Sequence, residues 1–253
     1  MPFKRWFSLA LMFLLCLGLS GCVRYELGIH YFSQTRGEIV QQIRVGESVT
    51  SFNEAIARTW LQTLEKQAKA IGGKARRRSA EELTVRIPFH NGAELNERFN
   101  QFFAVLAEPP AIASEETLPL PEISSHLEVQ EQNFLLVQRN RLSYDLDLRS
   151  LRVLSPGGNV LVKPSSLLEL DFSLDTPWGA DVRSGSVLPR GATQGRHLEW
   201  RFTTADTNHL EVVFWVPSPL GIGTAVIVVL MLLGSALKAL LLNRSGSQSP
   251  EGL

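Results

Sequence analysis

The last apolar run of the chain constrains it most. From Leu220 to Leu237, 18 residues pass without a charge, and most are Val, Leu or Ile. As a helix this run is ~27 Å long, and snorkelling by Lys238 extends it to ~35 Å, against a bilayer hydrocarbon core of ~30 Å. A single membrane-spanning helix is therefore expected over residues 218–242, with a tail at 243–253. Phe214-Trp215 precedes it, where an interfacial aromatic belt belongs. Lys238 and Arg244 follow it, while Asp206 and Glu211 lie on the preceding flank, so the positive-inside rule places the C-terminus in the cytoplasm.

The opposite end carries a second membrane signal. Lys4 and Arg5 precede an uncharged stretch from Trp6 to Leu19, which reads as a signal peptide over residues 1–21. The stretch ends Leu19-Ser20-Gly21-Cys22, an aliphatic residue, two small residues and a cysteine. This resembles the lipobox of bacterial lipoproteins, which implies cleavage before Cys22 and acylation of its thiol. Cys16 leaves with the signal, so Cys22 is the one cysteine expected in the mature chain. The part outside the membrane then has no disulfide, no cysteine-bound zinc and no thiol nucleophile. Both anchors place that part on one face of one membrane.

Between the anchors lie 195 residues, Val23–Pro217. Four of the 25 basic residues and one of the 25 acidic residues fall outside this region, leaving 21 against 24. Such a balance argues against a nucleic-acid partner, which calls for a strongly basic face.

The pattern predicts an α+β fold with two lobes. Over 22–107 the expected order is β-β-α-β-α. Two strands lie within Tyr25–Val45, and Ser51 with Glu54 forms a capping box for a helix that ends at Gly72-Gly73. A strand follows at Glu82–Phe89, then a second helix carrying Leu95, Phe99, Phe102, Phe103 and Leu106. The four prolines within residues 108–121 mark a linker or long loop, placed at 108–122. Residues 123–217 read as a mostly antiparallel β lobe. Its strands are expected at Leu127–Gln130, Phe134–Arg139, Tyr144–Leu148, Val160–Val162, Leu167–Leu174, His197–Thr203 and Leu210–Trp215.

Motifs with a built-in chemistry are few. The five histidines show no metal-ligand spacing, and no nucleophile elbow, phosphate loop or dinucleotide fingerprint is present. No catalytic residue, metal or cofactor is expected. Asp145, Asp147, Glu169, Asp171 and Asp175 lie on polar strand faces, where neighbouring strands could gather them around a hard cation such as calcium, although a solvated face balanced by Arg139, Arg141 and Arg149 is the simpler reading. Lys74, Arg76, Arg77 and Arg78 form a basic loop, a candidate contact for anionic headgroups, although a solvated loop is the simpler reading. Phe99, Phe102 and Phe103 are candidates to line an apolar pocket, with packing in the core the simpler reading. Gly221 and Ala225, four apart, hint that the spanning helix packs against another membrane protein.

Several segments together resemble a known family. Residues 46–52 (Gly-Glu-Ser-Val-Thr-Ser-Phe), 138–142 (Gln-Arg-Asn-Arg-Leu), 147–151 (Asp-Leu-Arg-Ser-Leu) and 176–179 (Thr-Pro-Trp-Gly) carry the likeness. Residues 214–223 (Phe-Trp-Val-Pro-Ser-Pro-Leu-Gly-Ile-Gly) are its most specific part. These are similar to the cyanobacterial and plastid domain-of-unknown-function family 3153. The resemblance implies a plasma or thylakoid membrane with the domain in the periplasm or lumen, and no mechanism. The expectation is a membrane-anchored lipoprotein that is not an enzyme and serves as an interaction or assembly module. A lipid or hydrophobic-ligand binding domain is the alternative.

Overall fold

The computed structural model describes residues 23–107, 124–151, 168–204 and 206–245. The expected signal peptide, Cys22, the linker at 108–122, the strand at Val160–Val162 and the end of the tail lie outside the described residues.

The elements run β1 (Val23–Ser33), β2 (Arg36–Arg44), α1 (Glu47–Ala70), β3 (Lys74–Arg77), β4 (Glu82–Phe89), α2 (Gly92–Ala107), β5 (Ser124–Asn133), β6 (Val137–Asp147), a short 3-10 turn (Arg149–Leu151), β7 (Leu168–Val182), β8 (Gln194–Arg201), β9 (Thr207–Pro217) and α3 (Pro219–Ser245). The expected α+β composition holds, with a C-terminal apolar helix.

Among the described residues all nine strands belong to one sheet, ordered β3-β4-β2-β1-β7-β9-β6-β5, with β8 also on β7. The strands of both expected lobes are thus continuous. The join is a parallel pairing of β1 with β7, from Val23↔Leu168 to His30↔Asp175. Both strands are apolar on alternate positions, so Tyr25, Leu27 and Ile29 line up with Phe172 and Leu174 on the buried face. The remaining pairings are antiparallel. β7 changes neighbours along its length: its register on β8 shifts between Asp175 and Ala180, and Ala180 to Val182 then pair with β9. Gly179 takes φ +94 in this stretch, and a Cβ there would lie 3.4 Å from the Gly195 backbone.

Local details differ from the sequence expectation in three places. Lys74–Arg77 is a strand, β3, rather than a loop. It pairs only with β4, and an exposed, highly charged edge of four residues is a usual way to blunt a sheet edge. Helix α1 starts at Glu47 with Gly46 as its N-cap, so Ser51 lies inside the helix instead of capping it. The segments expected at Phe134–Arg139 and Tyr144–Leu148 form one strand, β6, preceded by a turn at Phe134–Leu136. The apolar run Phe134-Leu135-Leu136 is exposed there, not paired.

The core lies between the sheet and the two helices. Leu61, Leu64 and Ala68 of α1 and Leu95, Phe99 and Phe102 of α2 are buried at helical spacing. Gly72, at φ +78, ends α1 as expected, and Gly73 N–H reaches Ala68 O at 2.7 Å.

Helix α2 also closes a sheet edge. Strand β5 has β6 on one side and α2 on the other. Asn100 Nδ2 donates to Leu127 O at 2.8 Å, and its Oδ1 accepts from Leu127 N–H at 2.9 Å. Asn96 treats Val129 the same way, at 3.3 and 2.7 Å. Four residues of helix advance ~6 Å and two residues of strand ~6.6 Å, so the spacings match. The Glu131 carboxylate completes the seam by accepting Gly92 N–H at 2.6 Å.

Candidate functional site

The sheet face turned away from α1 and α2 is polar. Arg24, Glu26, Gly28 and His30 alternate on β1, and Glu169, Asp171, Ser173 and Asp175 alternate on β7. The parallel register sets His30 beside Asp175, and the antiparallel register sets His197 on its other side. His30 Nδ1 lies 2.8 Å from one Asp175 oxygen, and His197 Nδ1 lies 2.7 Å from the other. His197 Nε2 in turn lies 2.8 Å from Glu199. Hydrogen bonding to Glu199 first, and to Asp175 second, holds the His197 pKa above its ordinary value. Farther along, Asp171 accepts two bonds from Arg201, at 2.7 and 2.9 Å, and these hold its carboxyl below the usual range.

Gly28 makes room for this array. A Cβ there would come within 2.8 Å of His30 Nε2 and 3.0 Å of Ser173 Oγ. The result is a groove of about 370 Å³, lined by residues of this array with Gln42, Arg190 and Trp200. Its carboxylates already face imidazole or guanidinium partners. The arrangement can exchange protons and can meet a partner of mixed charge.

A second groove, of about 280 Å³, lies over β5, β6 and β9. Arg141 grips Glu211 there with two bonds, at 2.9 and 2.8 Å. Arg139 donates to Gln132 at 3.0 Å.

The five candidate acids are spread over the outer face rather than gathered. Asp145 meets His209 at 2.6 Å. Asp147 meets Arg149, whose hydrogen bonds pull the carboxyl down to about 2. Glu169 lies 3.4 Å from Arg24 and 3.8 Å from Arg201. Among the described residues, no group of three or more His, Cys, Asp or Glu is placed to hold a metal ion.

The basic residues Lys74, Arg76, Arg77 and Arg78 run exposed along β3 and just beyond it. Their register carries them from Arg86 toward Leu83, away from the Phe89 end of β4. Arg78 lies 3.7 Å from Glu82. Phe99, Phe102 and Phe103 are all buried. Phe99 stacks on Phe103 at 4.4 Å and meets Tyr144 edge-on at 5.3 Å, so the three rings are packed together. Neither groove is lined by them.

At the other end of β9 the chain enters α3. Ser218 Oγ accepts Gly221 N–H at 3.2 Å and Pro219 occupies the first helical position, a strong helix start. Pro219–Leu241 is long and apolar enough to cross a membrane, and only 6% of it is buried, unlike the core helix of a soluble domain. This marks the chain for membrane anchoring.

The histidine–carboxylate chain, the asparagine ladder and the exposed hairpin tip went unseen in the sequence. The first depends on pairing between distant strands. The asparagines did leave a trace, since two amides four apart sit on an otherwise amphipathic helix.

These features define a class: an α+β domain with one continuous sheet, carrying a helix fit to anchor it in a membrane. The chain belongs to the family of proteins of unknown function DUF3153, which it matches over residues 27–244. Among solved structures it is similar to the folded domain of the LppM protein of Mycobacterium tuberculosis, determined by NMR. Identity there is 8%, the TM-score is 0.43, and the match covers 79% of this chain and 94% of the other. No curated protein matches the sequence.

Proposed function

We propose that the protein is a non-enzymatic interaction or assembly module, held on the periplasmic or luminal face of a plasma or thylakoid membrane. In this reading a signal peptide exports the chain, Cys22 carries lipid, α3 spans once, and Lys238 and Arg244 keep the C-terminus cytoplasmic. The observation that carries the reading is the junction of sheet and helix. β9 runs into α3 across one capping residue, and Ser218 N–H is bonded to Leu136 O at 2.9 Å. The polar outer face is thereby held at a set height above the bilayer. Its grooves are lined by alternating charges, which suit a polar protein surface.

A second reading is a lipid or hydrophobic-ligand binding domain. In this reading the polar end of a bound lipid meets the side-chain polar atoms of Tyr31, Gln41, Asn140 and Thr176, which are buried without a hydrogen-bond partner. Native mass spectrometry of the full chain released from its membrane separates the two. A bound protein, lost on charge reversal at Arg141 and Arg201, supports the module. A stoichiometric lipid held by protein whose outer face has been reversed supports the second reading and removes the first.

A further inference from the structure

The β5–β6 hairpin ends in a turn that runs against ordinary turn chemistry. Hairpin tips favour Gly, Asn and Asp, whereas this one reads Phe134-Leu135-Leu136. The three side chains are 55%, 74% and 41% exposed. Leu135 is also the one non-glycine residue at positive φ among the described residues, at +64°. Leu136 N–H bonds back to Phe134 O at 2.7 Å, the tight three-residue turn that strains its central residue. Asn133 Oδ1 steadies it by accepting Leu135 N–H at 3.1 Å. In water both the exposure and the backbone strain are unfavourable.

The turn is seated on the first turn of α3. Leu136 O accepts Ser218 N–H, and Gly221 lies beneath Leu135 O, where any Cβ would collide with that carbonyl. Glycine at 221 is thus what lets hairpin and helix touch. Leu135 O thus lies against the residue that follows Leu220, itself 84% exposed. Aromatic side chains surround this contact. Phe134 lies 5.7 Å from Trp215, ring to ring. Tyr31 packs on Phe214 at 4.7 Å, which brings the end of β1 and its exposed Phe32 to the end of β9. Trp178, also exposed, precedes the Ala180↔Phe214 pair on the side toward Pro217. Aromatic rings at the mouth of a spanning helix are the makings of an interfacial belt.

We infer that Phe134-Leu135-Leu136, flanked by Trp215, Trp178 and Phe32, is a wedge that enters the bilayer interface beside α3 and fixes the tilt of the sheet on the membrane. The occupant is the same bilayer that α3 crosses, so the inference rests on α3 spanning. Attachment belongs to α3. The wedge supplies orientation, reaching roughly 5–10 Å into the headgroup and acyl boundary.

The test uses the full chain with Cys16→Ser and Cys22→Ser, reconstituted in phosphatidylcholine vesicles, with one environment-sensitive label on an introduced cysteine. Labels go at Leu135→Cys, at Leu230→Cys within α3, and at Leu188→Cys. Val187 N–H bonds His209 O, so Leu188 lies near a point eight residues up β9 from Pro217, about 26 Å away along the strand. Spin-labelled lipids carry quenchers either near the headgroup or deep in the chain. The expected result is shallow quenching at 135, deep quenching at 230 and none at 188. Quenching at 230 with 135 behaving like 188 overturns the wedge and leaves α3 spanning. Absence of quenching at 230 overturns the spanning helix and the wedge with it. A second arm places the label at Gln132→Cys and compares the native tip with Phe134→Ser plus Leu135→Asn, since asparagine tolerates the left-handed turn. Shallow quenching at 132 is expected to fall about twofold or more. Unchanged quenching there overturns the wedge.

Discussion

Asn100→Ala removes the amide that satisfies both main-chain groups of Leu127 on the outer edge of β5. Leu127 is 1% exposed, so water does not readily replace the lost partners. A buried main-chain group left unpaired costs about 1–3 kcal/mol, and two such groups set the expected loss at about 2–4 kcal/mol after some local relaxation. Asn100→Asp keeps the acceptor for Leu127 N–H but sets a carboxylate oxygen against Leu127 O, so a loss at least as large as that of Asn100→Ala is expected. Urea unfolding of the detergent-solubilised chain, followed by its β-sheet signal, measures the change. Hydrogen exchange of the Leu127 amide locates it, because that proton should exchange faster in the alanine variant while amides of β1 keep their relative protection. A stability change below about 0.5 kcal/mol for Asn100→Ala, with Leu127 protection unaltered, would refute the claim that α2 acts as the missing neighbour of β5.

Phe99→Ala, which deletes a fully buried ring between Phe103 and Tyr144, is expected to destabilise by about 3–5 kcal/mol in the same unfolding assay. The imidazole of His197 should titrate above the ordinary histidine value of about 6.5, as read by NMR, and Glu199→Gln should lower its midpoint more than Asp175→Asn does. Because folding raises this pKa, its stabilising contribution is fully present below about pH 6.5 and is lost as pH rises through the folded value. The ring is half exposed, so that contribution is small and fades with salt.

What the sequence made legible was whatever is written locally. The spacing of Leu95, Phe99 and Phe102 defines α2, and the charge-free stretch after Leu220 defines α3. Gly72 ends α1 by its own backbone freedom, and Gly73 leaves room for the close approach to Ala68 O. The remainder depends on partners distant in the chain. No local pattern says that β1 lies parallel to β7, so His30, Asp175 and His197 looked like scattered residues although they form one hydrogen-bonded row. Lys74-Ala75-Arg76-Arg77 lacks the apolar alternation of a buried strand because, as an edge, it needs only one neighbour. The Ser51–Glu54 motif was locally sound, yet α1 begins a turn earlier at Glu47. Phe134–Leu136 read as strand because an apolar run looks the same whether it meets a core or a bilayer. The seat that distinguishes them is Gly221, more than eighty residues away.

A spanning α3 sets the domain and the tail on opposite sides of one membrane. In cells carrying the full chain with Cys16 replaced by serine, Leu188→Cys and Ser249→Cys variants can be treated with a membrane-impermeant maleimide before and after permeabilisation. The expected result is labelling at 188 from the outside of the membrane that holds the protein, and at 249 only once that membrane is opened. Labelling of both positions from the same side would contradict the spanning helix and the orientation built on it.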